Sequence, residues 1–221
     1  MIPVEQAQAP GDYDARVRQP GLSAIDELVG RSPRLTRRGP RRKKVADVEE
    51  DIPPEAFPPI WRSVLQDMKD AYHSRCAYLA LYIHDATGNP SVDHVLPKSY
   101  AWDQVYEWTN YRLCAGIINS KKGVLLTLVD PFTVGAEWFA LNLNTYHVER
   151  GALAPMAEWA RVDATLPVLN QRLCVMERDE YVRCYRHGPG ARGFGLGHLE
   201  DRAPFIASEL RRQGQLLRGD T

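Results

Sequence analysis

The chain has 221 residues, 44% of them hydrophobic and 25% charged, which supplies a buried core and is unlike a disordered composition. Lysine plus arginine (28) equals aspartate plus glutamate (28), which argues against a protein that coats nucleic acid by net charge and leaves only local basic surfaces. No apolar run reaches membrane-spanning length, and the four scattered cysteines, Cys76, Cys114, Cys174 and Cys184, lack the spacing of a secreted disulfide framework.

Residues 1–58 form the first expected segment. Its opening, Met1-Ile2-Pro3-Val4-Glu5, is unlike a secretory leader, so a cytoplasmic, reducing location is expected. A short helix is expected over Asp12 to Arg18, and an amphipathic one over Leu22 to Val29, stopped by Gly30 and Pro33. Between Arg31 and Lys44 eight of fourteen residues are basic, and residues 47–55 answer with five acids in nine. The basic run reads as an exposed, mobile connector or as an arm that contacts phosphates.

Residues 59–125 hold the candidate site. After the Pro-rich DIPPEAFPP, a helix from about Ile60 to Ser74 is expected to serve as a scaffold. The stretch 91–123, SVDHVLPKSYAWDQVYEWTNYRLCAGIINSKKG, follows a Gly/Asn/Pro turn and contains an Asp-His pair with Asn residues 16 and 25 positions after the His. Such residue types suit phosphodiester hydrolysis, which needs an activated water, a hard cation and groups that hold both in line. As strand neighbours, Asp93 and His94 face opposite sides, so a division of labour is expected. Asp93 offers a carboxylate to one Mg²⁺ or Mn²⁺, Asn119 adds an amide oxygen, and His94, titrating near neutrality, serves as general base. Taken singly, Asp-His is a common dipeptide, Asn110 suits a turn and Asn119 suits a helix C-cap; the joint order and spacing carry the reading.

Residues 100–109 are rich in Tyr, Trp and Val, as expected of a long loop packed on its own domain, with base stacking the alternative. After Gly123 one or two strands are expected, over 124–126 and 138–148, and the segment 126–221 then continues with helices through 154–170, 171–187 and 200–217. The GPGARG of 188–193 matches GxGxxG but follows a helical pattern where a dinucleotide fold needs a strand, so no cofactor loop is expected.

Val92-Asp93-His94-Val95-Leu96-Pro97-Lys98-Ser99, WTNYRL and INSKKG together resemble the HNH, or ββα-metal, nuclease family over residues 76–123. The resemblance implies an α+β fold in which a ββα-metal finger is embedded between N-terminal and C-terminal helical segments. The finger would comprise a hairpin of 77–83 with 91–95, a long loop, a short strand at 110–113 and a helix ending near Gly123. It implies that Asn110 pins the loop and orients the base, that Lys122 steadies the scissile phosphate, and that Asp93 and Asn119 bind the metal. Many members brace the finger with zinc on two CxxC pairs; here Leu79, Ala115 and Ile118 stand at ligand positions and Cys114 is one residue out of register, so no structural zinc is expected. The implied activity is metal-dependent endonucleolytic cleavage of DNA, by nicking or by double-strand cutting in a homodimer. An RNA-cleaving toxin using the same site and a non-catalytic binding module are the alternatives. More loosely, the layout is similar to small HNH proteins of bacterial anti-phage defence of the Septu type, which implies an ATPase partner subunit.

Overall fold

The first helix, α1 (Gln19–Leu28), continues without a break from a π-helical turn at Asp14–Arg18. The computed structural model spans residues 1–221 and describes all of them except Arg37 and Ala191. Helix α1 buries Ala24, Ile25 and Leu28 and, unusually, Asp26 and Glu27. Buried carboxylates need partners, and the basic segment provides them. Arg34 Nε lies 2.8 Å from Asp26 Oδ2, and Arg42 Nη1 lies 2.7 Å from Glu27 Oε2. Val45 N–H donates to Leu28 O at 2.8 Å. The stretch expected to be a mobile connector is therefore anchored along α1 by its own arginines; Arg37 within it lies outside the described residues.

The scaffold helix is shorter than expected. A 3₁₀ turn at Ile60–Val64 leads into α2 (Leu65–Ala71), which ends where His73 and Ser74 both take φ of +53°. Two consecutive left-handed non-glycine residues cannot continue a right-handed helix. Trp61, Val64 and Met68 form its buried face.

Residues 77–83 do not form the expected strand. Cys76 N–H donates to Leu81 O and Ala80 N–H to Cys76 O, each at 2.8 Å, closing a tight loop with Ala80 at φ +51°. The strand that the resemblance implies is replaced by this loop, in which Tyr78, Leu79, Ala80 and Leu81 are all buried. An isolated bridge, Arg75 to Tyr82, closes this loop on itself, and the pairing of 77–83 with 91–95 is absent among the described residues.

Strand β1 (Pro90–His94) pairs instead with β2 (Tyr111–Ala115), antiparallel, with Asp93 opposite Arg112 and His94 opposite Tyr111. Helix α3 (Gly116–Lys122) follows β2 directly and stops at Gly123, whose φ of +50° suits glycine. The order is thus strand, 16-residue loop (95–110), strand, helix.

A second small sheet pairs β3 (Phe139–Leu141) with β4 (Val148–Arg150); residues 124–126 lie outside both sheets. Then come α4 (Trp159–Leu169), α5 (Arg172–Arg186), α6 (Leu196–Arg202) and α7 (Pro204–Arg212). The single helix expected over 200–217 is split because Ala203 takes φ −147°, ψ 59° ahead of Pro204, which starts α7. The GPGARG stretch, which includes the undescribed Ala191, follows helix α5.

Among the described residues the fold is α+β, with seven α-helices and two two-stranded antiparallel sheets. One apolar cluster runs from Met1 to Leu210, so the three sequence segments share a core. No described helix is long and apolar enough to cross a membrane.

Candidate functional site

Because side chains alternate along a strand, Asp93 and His94 at the end of β1 serve two different environments. His94 is 8% exposed and sits between aromatic rings, with Trp61 4.7 Å and Tyr111 5.2 Å away between ring centroids, both edge-on. Its Nε2 is 3.0 Å from Val105 O. A carbonyl oxygen only accepts, so Nε2 carries the proton and Nδ1 keeps its lone pair. Burial lowers the imidazole pKa to about 4, and the charges of Lys98 and Lys122 act in the same direction. The ring is therefore neutral at physiological pH, and contrary to expectation it does not titrate near neutrality, because burial disfavours the imidazolium.

The loop carrying Val105 is pinned by Asn110. Its Oδ1 accepts Leu96 N–H at 2.7 Å, and its Nδ2 donates to Leu96 O at 3.1 Å and to Gln104 O at 3.0 Å. Asn110 thus holds both ends of the loop that fixes His94. It does not touch the imidazole itself; its effect on the ring passes through Val105.

On the other face of β1, Asp93 is 2% exposed and receives the Tyr78 hydroxyl on Oδ2 at 2.8 Å. Lys122, also 2% exposed, places Nζ 3.1 Å from Asp93 Oδ1 and donates to His94 O at 2.6 Å. Burial raises the Asp93 carboxyl, against the opposing pull of Lys122 and Tyr78. Lys122 was expected to steady the phosphate. It points into the protein instead, because a buried carboxylate beside α3 recruits the nearest ammonium.

Asn119, one turn before Lys122 on α3, donates from Nδ2 to Ser91 Oγ at 3.0 Å, and Ser91 Oγ donates to Cys114 O at 3.0 Å. This fixes the amide so that Oδ1 is left without a protein partner among the described residues. Asn119 and His94 line one cleft of about 540 Å³, together with Trp61, Arg62, Ser91 and Lys98; Asp93 and Lys122 are not among its walls.

The donor set can be tested against the divalent ion that the motif implies. One carboxylate and one free amide oxygen suit a hard cation in kind. Asn119 Oδ1 has no protein partner among the described residues, whereas Asp93 is paired with Lys122 outside the cleft wall and would have to leave that ammonium to share an ion with Asn119. No described cluster of three His, Cys, Asp or Glu side chains forms an alternative centre.

At the zinc-type positions, Cys76 Sγ accepts Ala115 N–H at 3.4 Å, while Leu79 and Ile118 fill the places of further ligands with buried aliphatic groups. Sequence reasoning missed Tyr78, Trp61, Arg62 and the Val105 carbonyl. Lys98 was visible only as part of a PKS motif. None of the other four carries a local signal, since each acts through a fold contact with β1 or its cleft. Comparison of the chain with family models, with curated proteins and with solved structures finds no match.

Proposed function

We propose that this protein is a metal-dependent nuclease of the HNH type that hydrolyses DNA phosphodiester bonds at the His94 cleft. The observation that carries the reading is the tethered imidazole: Nε2–H is fixed on Val105 O at 3.0 Å, which leaves the Nδ1 lone pair as proton acceptor, and His94 shares the walls of one cleft with Asn119. A general base must be unprotonated and held in one tautomer, which the neutral, tethered ring supports. The imidazolium formed in the step has to be stabilised by the incoming phosphate's charge, because burial alone disfavours it. The order β1, loop, β2, α3 supports the finger that the motif implies, in which Asn110 braces the loop.

In this mechanism His94 removes a proton from water in the cleft as the water attacks phosphorus. Asn119 presents Oδ1, and Tyr78 holds the Asp93 carboxylate. Lys122 holds the main chain of His94 through its carbonyl oxygen. A bound Mg²⁺ or Mn²⁺ on Asp93 and Asn119 would supply charge neutralisation at the phosphate and at the departing oxygen.

A second reading is favoured by one observation, the inward pairing of Asp93 with Lys122. The same His94 can take the proton of a ribose 2′-hydroxyl, a route to RNA cleavage that draws on no carboxylate ligand. Matched DNA and RNA strands, each incubated in Mg²⁺, Mn²⁺ or EDTA, separate the two. Metal-dependent DNA products ending in 5′-phosphate, lost about 100-fold or more in His94→Ala and also lost in Asn119→Ala, are the expected result. RNA products ending in a 2′,3′-cyclic phosphate, formed in EDTA, would transfer the assignment to the second reading. Undiminished cleavage by His94→Ala would sink both.

A further inference from the structure

With Lys122 turned inward, the cation that meets a phosphate in this cleft must come from elsewhere. The cleft walls include Arg62 and Lys98 and no carboxylate. That is notable in a chain of zero formal charge whose other arginines are widely paired, as Arg16 is with Asp67, Arg18 with Glu107 and Arg112 with Asp130.

The two cations are held differently. Lys98 Nζ is committed in part, donating to Pro54 O at 2.7 Å and lying 4.9 Å from the centre of the Trp61 ring. Arg62 is exposed, and its guanidinium has no hydrogen bond or ion pair among the described residues. Burial lowers the Lys98 pKa and the Arg62 charge acts in the same sense, opposed only by Glu55, as expected of two cations facing one space. The 3₁₀ turn that carries Arg62 is rigidly set, because its neighbour Trp61 packs edge-on against the His94 ring and Val64 is fully buried. The residue beside Arg62 in the chain therefore touches the candidate base directly.

A guanidinium offers a planar fork matched to two phosphate oxygens, and a lysine adds a point charge. Two cations at a cleft whose walls hold no carboxylate raise the local concentration of an anionic ligand and strengthen its capture. We propose that Arg62, lying outside the motif and seconded by Lys98, is the phosphate clamp of this cleft, holding a backbone phosphate of a nucleic-acid strand next to His94. The assignment rests on reading the cleft as a phosphodiester site, and it specifies which side chain binds the strand.

The test is binding without turnover. The probe is a fluorescein-labelled DNA single strand of about 16 nucleotides, at the upper end of common single-strand site sizes. Its anisotropy is followed in EDTA across a salt series for the full chain and for Arg62→Ala and Arg62→Lys. Arg62→Ala is expected to weaken binding about tenfold, as loss of one charged hydrogen-bonding group does. It should also reduce the slope of log affinity against log salt by about 0.7, the value for one single-strand phosphate. Arg62→Lys restores the slope but only part of the affinity. Unchanged affinity and slope in Arg62→Ala, with folding verified by circular dichroism, overturn the proposal, as does absence of wild-type binding at about 50 mM salt, where phosphate contacts are strong. Cleavage is scored separately. A strand gripped through Arg62 but never cut in Mg²⁺ or Mn²⁺ keeps the clamp and removes the nuclease; cutting that is indifferent to Arg62→Ala does the reverse.

Discussion

The side-chain amide of Asn110 is closed on both main-chain groups of Leu96, accepting its N–H at 2.7 Å and donating to its carbonyl at 3.1 Å. A third bond, to Gln104 O at 3.0 Å, brings the far end of the loop to the same side chain. Asn110→Ala removes all three and leaves buried main-chain groups unpaired, a loss of about 3 kcal/mol in urea unfolding. Because Val105 is carried by this loop, cleavage should fall further than stability alone explains. An Asn110→Ala protein that is fully folded and cuts at the wild-type rate would separate the loop from the site.

His94 gives the protein a pH dependence whose sign is fixed by burial. Its pKa is lowered to about 4 in the folded chain, while an unfolded histidine titrates near 6.5. Below about 6.5 the unfolded state binds a proton that the folded state refuses, so stability is full at pH 7 and declines as the pH falls toward 4. Between pH 7 and 5 the loss from this group is about 2 kcal/mol. His94→Gln, which can still donate to Val105 O, should show a correspondingly shallower acid decline in EDTA. Equal slopes in the two proteins would mean that the ring is hydrated and free.

Helix α1 is coupled to the same loop through Gly21. A Cβ built there would lie 2.2 Å from Cγ of Tyr106, whose hydroxyl donates to Pro58 O at 2.9 Å and whose chain neighbour is Val105. Gly21→Ala must push the ring, costing about 1–3 kcal/mol as overpacking does, and should lower cleavage by moving the Val105 carbonyl. Gly197→Ala is the control. No atom lies within 4 Å of a Cβ there, in helix α6, so the change is expected to be neutral or to stabilise by up to about 1 kcal/mol. Thermal melts of the two variants should move in opposite directions or differ in size accordingly.

These contacts show where the sequence is legible. The helix end near Gly123 that the resemblance implies has a local reason, since glycine can take the positive φ found there, whereas β2 opens at Tyr111 after a 3₁₀ turn that ends in Asn110. The opposite facing of Asp93 and His94 follows from strand alternation and holds in the structure. The strand over 77–83 that the resemblance implies fails because the tight loop closed between Cys76, Ala80 and Leu81 buries Tyr78, Leu79, Ala80 and Leu81 together and leaves no solvent-facing side. The inward turn of Lys122 is invisible to any local rule, since it depends on α3 docking beside a buried carboxylate 29 residues earlier in the chain. Arg62 is silent for the same reason: only the packing of Trp61 on His94 brings that turn to the cleft.

The Asp93–Lys122 pair makes a prediction about metal that does not depend on activity. Lys122 Nζ is the only cation within ion-pair distance of Asp93 among the described residues, and the two side chains are almost wholly buried. Lys122→Met leaves that carboxylate without its countercharge, which costs about 3–5 kcal/mol in a metal-free protein. The same loss removes the competitor that a divalent ion has to displace. Mn²⁺ should therefore raise the melting temperature of Lys122→Met by more than it raises that of the wild type, since ligand stabilisation grows with the ratio of ligand to dissociation constant. Asp93→Asn combined with Lys122→Met should abolish the extra gain, because the amide no longer attracts the ion. If Mn²⁺ shifts the wild type and Lys122→Met equally, Asp93 is not a ligand, and its carboxylate serves only to hold Lys122 against the His94 carbonyl.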